Sequence, residues 1–251
     1  MFEFAAPKDL LANKTILVTG GSDGIGRVCG KMFAQYGATV ILLGRNQSKL
    51  EQVYDEIEQS CPGRAIIHPL DFRKAKSADF VLLAASLDAQ FPCLDGLIHN
   101  AAMLGPRCPI EFYPEQDWQD LIQVNVTAAF GLTKALLPAL ARSADARLLF
   151  TSSSVGRVGK AYWGAYGVSK FAIEGMMQTL ADELAKTTNI KVNSLNPGGT
   201  RTSMRRDAYP AEDPNSQPAP ESIMPVYLYL FSAAAVSIHG QALDVRGFHA
   251  I

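Results

Sequence analysis

The chain has 251 residues, 48% apolar and 19% charged, with 23 basic and 24 acidic side chains and a formal net charge of −1. So much apolar material implies a sizeable core, and so even a charge balance argues against a nucleic-acid or membrane surface. Cys29, Cys61, Cys93 and Cys108 are scattered without C-x-x-C spacing, no histidine cluster has metal spacing, and the opening residues, with Glu3 and Asp9, lack a secretory pattern; reduced thiols, no metal and a cytoplasmic location are expected.

The first strand is expected over 15–19, Thr-Ile-Leu-Val-Thr, and runs directly into Gly20-Gly-Ser-Asp-Gly-Ile-Gly26, with a helix following over 25–36. Strand, glycine turn and helix in that order make a phosphate cradle. Gly20 permits the turn, Gly24 lets a pyrophosphate approach the backbone, and Gly26 lets helix and strand pack closely. Ser22, Asp23 and Ile25 share the turn, and the helix N-terminus offers its unbonded N–H groups to an anion.

A second strand, 39–43, ends at Leu43-Gly44-Arg45-Asn46. A carboxylate here would bind the ribose 2′-hydroxyl of NAD; Arg45 instead suits a 2′-phosphate, so NADP is expected, with Asn46 beside it. The next helix, 48–60, opens with Ser48-Lys-Leu-Glu51, which fits a capping box. After a third strand, 65–70, Asp71 and Phe72 stand where an adenine would lie, with a helix cap as the other use of Asp71. A helix over 77–90, a strand over 96–99 and a long helix over 115–141 come next. A strand over 147–152, a helix over 164–186, a strand over 190–195, a helix over 221–232 and a strand over 241–245 complete the pattern. Strand–helix alternation with apolar, β-branched strands predicts one Rossmann-type α/β domain, 1–251. Its doubly wound parallel sheet has about seven strands, with helices on both faces. The proline-rich stretch within 199–222 reads as a lid over the cleft.

The most telling pair is Tyr166 and Lys170, four residues apart and so on one helix face. An ammonium near a phenol favours the phenolate, and a tyrosine tuned in this way can give a proton to a carbonyl or take one from an alcohol.

With the turn in place upstream, the chain resembles the short-chain dehydrogenase/reductase family in its single-domain branch. The resemblance extends to His99-Asn-Ala-Ala102, to Asn125 in Gln-Val-Asn-Val-Thr, to Ser152-Ser-Ser154 and to Asn196-Pro-Gly-Gly-Thr-Arg-Thr202. Finer features, Ser152-Ser-Ser-Val-Gly-Arg157 and Trp163-Gly-Ala-Tyr166 among them, are similar to the bacterial YciK-like subgroup. The family usually has Asn-Asn-Ala-Gly where this chain has His99-Asn-Ala-Ala102.

The resemblance implies that Tyr166 is the general acid/base and that Lys170 lowers its pKa and holds the nicotinamide ribose. It implies that Ser153 bonds the substrate oxygen and that Asn125 tethers a water in a proton relay. Asn100, Ala101, Pro197, Gly198, Thr200 and Thr202 would border the cofactor. The expected substrate is a small carbonyl or alcohol; a non-catalytic NADP(H) sensor is the other reading. Arg201, Arg205 and Arg206 could attract an anionic substrate or pair with Asp207, Glu212 and Asp213. Surplus apolar positions on the helices over 115–141 and 164–186 suggest a homodimer or homotetramer, with Met177 as an outward position.

Overall fold

The computed structural model describes residues 2–250. Seven parallel strands form one sheet in the order β3-β2-β1-β4-β5-β6-β7. They are β1 (Thr15–Thr19), β2 (Thr39–Gly44), β3 (Ala65–Pro69), β4 (Gly96–His99), β5 (Arg147–Thr151), β6 (Lys191–Asn196) and β7 (Ala242–Asp244). β1, β4 and β5 are buried at every position, as strands covered on both faces must be. Thr15 is paired with Thr39 on β2, and Ile16 with Gly96 on β4. The chain therefore leaves β1 in one direction for β2 and β3 and returns on its other side for β4. That reversal opens a crevice at the carboxyl ends of β1 and β4, the usual ligand position in such sheets.

One face of the sheet is covered by α1 (Gly24–Gln35), α2 (Gln47–Ser60) and α8 (Met224–Leu230), which bring Phe33, Leu50, Ile57 and Tyr227 onto Ile16, Val18, Val40 and Leu42. The other is covered by α3 (Ser77–Asp88), α4 (Glu115–Ile122), α5 (Ala128–Ala141) and α6 (Gly164–Leu184). These helices pack Phe80, Leu132, Leu136, Ile173 and Met177 onto Leu17, Leu97, Leu148 and Phe150. A smaller cluster of Leu121, Val155, Trp163, Ala165, Tyr166 and Ala208 lies under the open end of the sheet.

Several local expectations need correction. α2 is capped by Asn46, whose side chain accepts from Lys49 N at 3.0 Å. Ser48 is already inside the first turn, so the 48–51 pattern is not a capping box; the asparagine two residues earlier reaches the same kind of unbonded N–H. The long helix over 115–141 is broken by a π-turn over Gln123–Thr127, where Ala128 N donates to Gln123 O, five residues back. By length and composition alone Glu115–Ala141 could cross a membrane, but it lies against the sheet with half of its most apolar window buried. The stretch after β6 is not a plain loop. It contains α7 (Ser203–Ala208) and a 3-10 turn at Pro214–Ser216. Met177, expected to point outward, is fully buried.

Candidate active site

Gly20 has φ 68° and turns the chain out of β1. A Cβ on Gly26 would lie 2.3 Å from Gly20 O, so α1 can start this close to the strand only without a side chain there. Asp23 caps α1, accepting from Gly24 N at 2.7 Å, and its other oxygen meets Ser203 Oγ at 3.1 Å and Lys49 Nζ at 3.4 Å. Burial opposes ionisation of Asp23, but the Gly24 N–H, Ser203 and Lys49 outweigh it and hold the carboxyl below its ordinary range. Asn100 is fastened to the end of β1: its N donates to Thr19 Oγ1 at 2.9 Å and its Nδ2 to Thr19 O at 3.2 Å.

The turn opens onto a cleft of about 1250 Å³ along the carboxyl edge of the sheet. Gly20, Ser22, Asp23, Gly24, Ile25, Arg45, Asn46, Asp71, Phe72, Asn100 and Ala101 line one part of it. Ser153, Tyr166, Lys170, Pro197, Gly198, Thr200 and Thr202 line the rest. Gly26 and Asn125 stand behind the wall. At the β2 end, Lys49 pairs with Asp23, and Arg73 with Asp71 at 3.1 Å. Arg45, in contrast, has no carboxylate within ion-pair distance among the described residues and is exposed to the cleft. Asp71 is thus held by the arginine two residues on.

On the floor, α6 presents Tyr166 and Lys170. It is drawn against the chain after β5 because Gly156 leaves room: a Cβ there would come within 2.7 Å of Lys170 Cβ. Tyr166 stands beside Ser153, and Lys170 Nζ donates to Thr151 O at 2.7 Å while lying 5.5 Å from the Tyr166 ring centre. Strand alternation would turn Ser152 and Ser154 to one face, but β5 ends at Thr151 and Ser154 starts a 3-10 turn: Ser152 is buried with its Oγ on Glu174, Ser153 is half-buried at the cleft, and Ser154 is exposed. Burial pushes the Tyr166 phenol up to about 12, against the weaker downward pull of the neighbouring Ser153 hydroxyl. The expected lowering by Lys170 does not dominate here, because burial also draws the ammonium down to about 8, partly offset by Glu174.

Asn125 lies in the π-turn. Its Oδ1 accepts from Met103 N at 2.7 Å, and its Nδ2 donates to Met103 O at 3.0 Å and to Ser169 Oγ at 3.0 Å. Ser169 in turn donates to Tyr166 O at 2.8 Å. Asn125 therefore fixes the chain after β4 to the helix bearing Tyr166.

A family model described as short chain dehydrogenase matches residues 14–213. The chain belongs to the short-chain dehydrogenase family. It is 49% identical over 239 residues to YciK, an uncharacterized oxidoreductase of Escherichia coli K12, covering 95% of this chain and 94% of that one. A Shigella flexneri short chain dehydrogenase solved in complex with NADP is 49% identical, with a TM-score of 0.93 over 96% of this chain and 100% of the other. An Escherichia coli CFT073 short chain dehydrogenase solved with NADPH is 50% identical, with a TM-score of 0.93 over 96% of this chain and 99% of the other.

The residues of this short-chain dehydrogenase fit such a dinucleotide. The glycine turn gives backbone access beside a helix N-terminus, and Arg45 is a cation without an acid partner at the β2 end of the cleft. Pro197, Gly198, Thr200 and Thr202 line the cleft on the β6 side, and the Thr202 methyl group lies beside Gly24.

Sequence reasoning missed Glu174. One turn beyond Lys170 and buried, it accepts from Ser152 Oγ, from Ser194 Oγ at 2.7 Å and from Arg157 Nε at 3.3 Å. Arg157 also pairs with Asp244 and donates to Leu243 O at 2.8 Å. The ends of β5, β6 and β7 are thereby tied to α6. The only sequence cue is a glutamate among apolar neighbours on α6. Sequence reasoning also gave no role to Arg107, whose guanidinium lies against two neighbouring rings, Trp163 at 4.6 Å and Tyr209 at 4.7 Å. The arginines after β6 are engaged locally: Arg205 is bidentate to Glu212 at 2.6 Å through both oxygens, Arg201 donates to Asn215 at 2.9 Å, and Arg206 lies 3.9 Å from Asp207.

Proposed function

We propose that this protein is an NADP(H)-dependent oxidoreductase that interconverts a small carbonyl compound and its alcohol. The observation that carries this reading is the placement of Ser153 beside Tyr166 on the cleft floor, with Lys170 one turn along the helix. NADPH, when bound, supplies the hydride to the carbonyl carbon. Ser153 and Tyr166 hold the carbonyl oxygen, and Tyr166 donates its proton to that oxygen as charge develops there. A phenol held at about 12 is fully protonated at neutral pH, which suits the acid required for reduction. In the oxidative direction the same oxygen takes the alcohol proton back, and the Lys170 ammonium stabilises the phenolate. Lys170 also donates toward the nicotinamide ribose. Asn125 acts by position, through Met103 and Ser169.

The test is NADPH oxidation against a panel of aldehydes, ketones, quinones and 3-oxoacyl thioesters, with Tyr166→Phe beside the parent. Turnover is expected to vanish in the variant while NADPH still binds. If the parent turns over nothing on the panel and binds NADPH tightly, the sensor reading takes over.

A further inference from the structure

Outward from Tyr166 the cleft wall is a continuous stack. Trp163, the residue that opens α6, contacts the Tyr166 ring at 5.6 Å between centres. The Arg107 guanidinium lies 4.6 Å from the Trp163 ring centre and 4.7 Å from that of Tyr209, in the angle between two rings that are themselves 6.1 Å apart, and Arg205 lies 3.8 Å from the Tyr209 ring. The four residues come from three separate places in the chain: the segment after β4, the start of α6, and the end of α7 with the residue after it. Tyr162, just before Trp163, has φ 69°, a conformation that side-chain-bearing residues avoid. It turns the chain so that Trp163 is buried while Tyr162 lines the cleft mouth.

The charges in this stack are not equivalent. Arg205 is spent on Glu212 through both carboxylate oxygens. Arg107 has no carboxylate within ion-pair distance among the described residues, and its single hydrogen bond there is from Nη1 to Ala208 O. Two adjoining rings and the bond to Ala208 O hold the group at the cleft wall, and most of its N–H donors remain for a ligand. A guanidinium prepared in this way, one aromatic ring from the proposed acid, matches the planar oxygens of a carboxylate or the oxygens of a phosphate. Asp117 lines the same cleft beside Tyr113 and repels an anion from that side, which confines an anionic end to Arg107.

Resting on the reading above, we propose that the substrate is a carbonyl compound bearing an oxyanion, carboxylate or phosphate, and that Arg107 is the specificity-determining residue that grips it. The experiment compares para-carboxybenzaldehyde, its methyl ester and para-formylphenyl phosphate as substrates of the parent protein, Arg107→Met and Arg107→Lys. Alongside, terephthalate, which has carboxylates but no reducible carbonyl, is titrated into the NADPH-loaded protein by calorimetry.

The parent is expected to prefer an anionic aldehyde over the ester by about tenfold or more in kcat/KM, the scale of a charge-assisted contact. Arg107→Met should erase that preference and terephthalate binding together. Arg107→Lys, a charge without the flat fork, should restore only part of both. The acid and the phosphate tell the two oxyanions apart by which is favoured more. Equal rates for acid, phosphate and ester in the parent, or an equal loss on all three in Arg107→Met, would reduce Arg107 to a structural clamp and overturn the proposal. If no aldehyde is reduced by the parent, the oxidoreductase reading fails by itself. The terephthalate titration still decides for or against Arg107: binding that Arg107→Met abolishes upholds the grip, and binding that is absent or unchanged refutes it.

Discussion

At the scale of single residues, Lys170 and Arg45 make opposite demands on the protein. Burial moves the Lys170 ammonium from its ordinary 10.5 down to about 8. Between those values the unfolded chain binds that proton more tightly than the folded one, so this group makes stability rise with pH across the window. Below about pH 8 the buried charge costs its full amount, on the order of 3 kcal/mol. Lys170→Met is therefore expected to hold or raise the urea midpoint at neutral pH and to lose that advantage by about pH 10, while turnover disappears. A midpoint lowered equally at both pH values would mean that the lost bond to Thr151 decides instead. Arg45 is exposed and carries no such burden. The contact proposed for it with a 2′-phosphate would be worth roughly 1.5–3 kcal/mol, tenfold or more in affinity. NADPH should bind more tightly than NADH by that factor, and Arg45→Asp should reverse the order; equal dissociation constants in fluorescence titration would reject the assignment. The cleft residues were legible because each lies at a strand end or in a motif with fixed spacing. Glu174 and Arg107 were not, because their partners Ser152, Ser194, Trp163 and Tyr209 are distant in sequence and no local pattern joins them.

Among the elements, strand ends were read within a residue or two because a strand buried on both faces is an unbroken apolar run bounded by polar turns. Helix interiors were harder. Prolines at 210, 214, 218 and 220 suggested a featureless lid, yet Thr202 caps α7, accepting from Arg205 N at 3.2 Å, and Arg205, Glu212 and Gln217 are linked by hydrogen bonds. α7 also leans on the glycine turn through the bond between Ser203 and Asp23. Closure is thus expected as movement of a small prefolded unit about its ends, not as the ordering of a coil. Hydrogen exchange should be faster over 203–221 than in α6 without ligand, and should slow when NADPH and substrate are added. Protection that is already high in the free protein and unchanged by ligand would rule out a lid.

For the whole molecule, the open question is what covers the helices beyond the sheet. On α5 and α6, Phe130 is 55% exposed and Phe171 45%, with Val168 beside them, while Met177 is fully buried. The surplus apolar surface read from the sequence is present, but the outward position was misjudged: Met177 lies on the stripe with Ile173 and Ala181 that faces the sheet. A second copy related by a two-fold axis would bury the same patch on both chains. The protein is accordingly expected to sediment as a dimer or tetramer at micromolar concentration, and Phe171→Asp to release folded monomers. A 27.1 kDa species alone in the parent would refute this. A charge at Met177 would instead disrupt the core.

The π-turn at Gln123–Thr127 acts as a phase shifter. One extra residue in a turn rotates everything downstream by about 100° relative to an unbroken α-helix. Removing a single residue there would heal the helix into a more regular rod. The residues downstream would keep their faces, because the deletion takes out the extra residue that the wide turn absorbs; what would be lost is the turn that carries Asn125 onto Met103 and Ser169. Forcing the full sequence into an unbroken helix would instead swing Leu132 and Leu136 off the sheet, so a one-residue insertion here is expected to lower stability more than a deletion does.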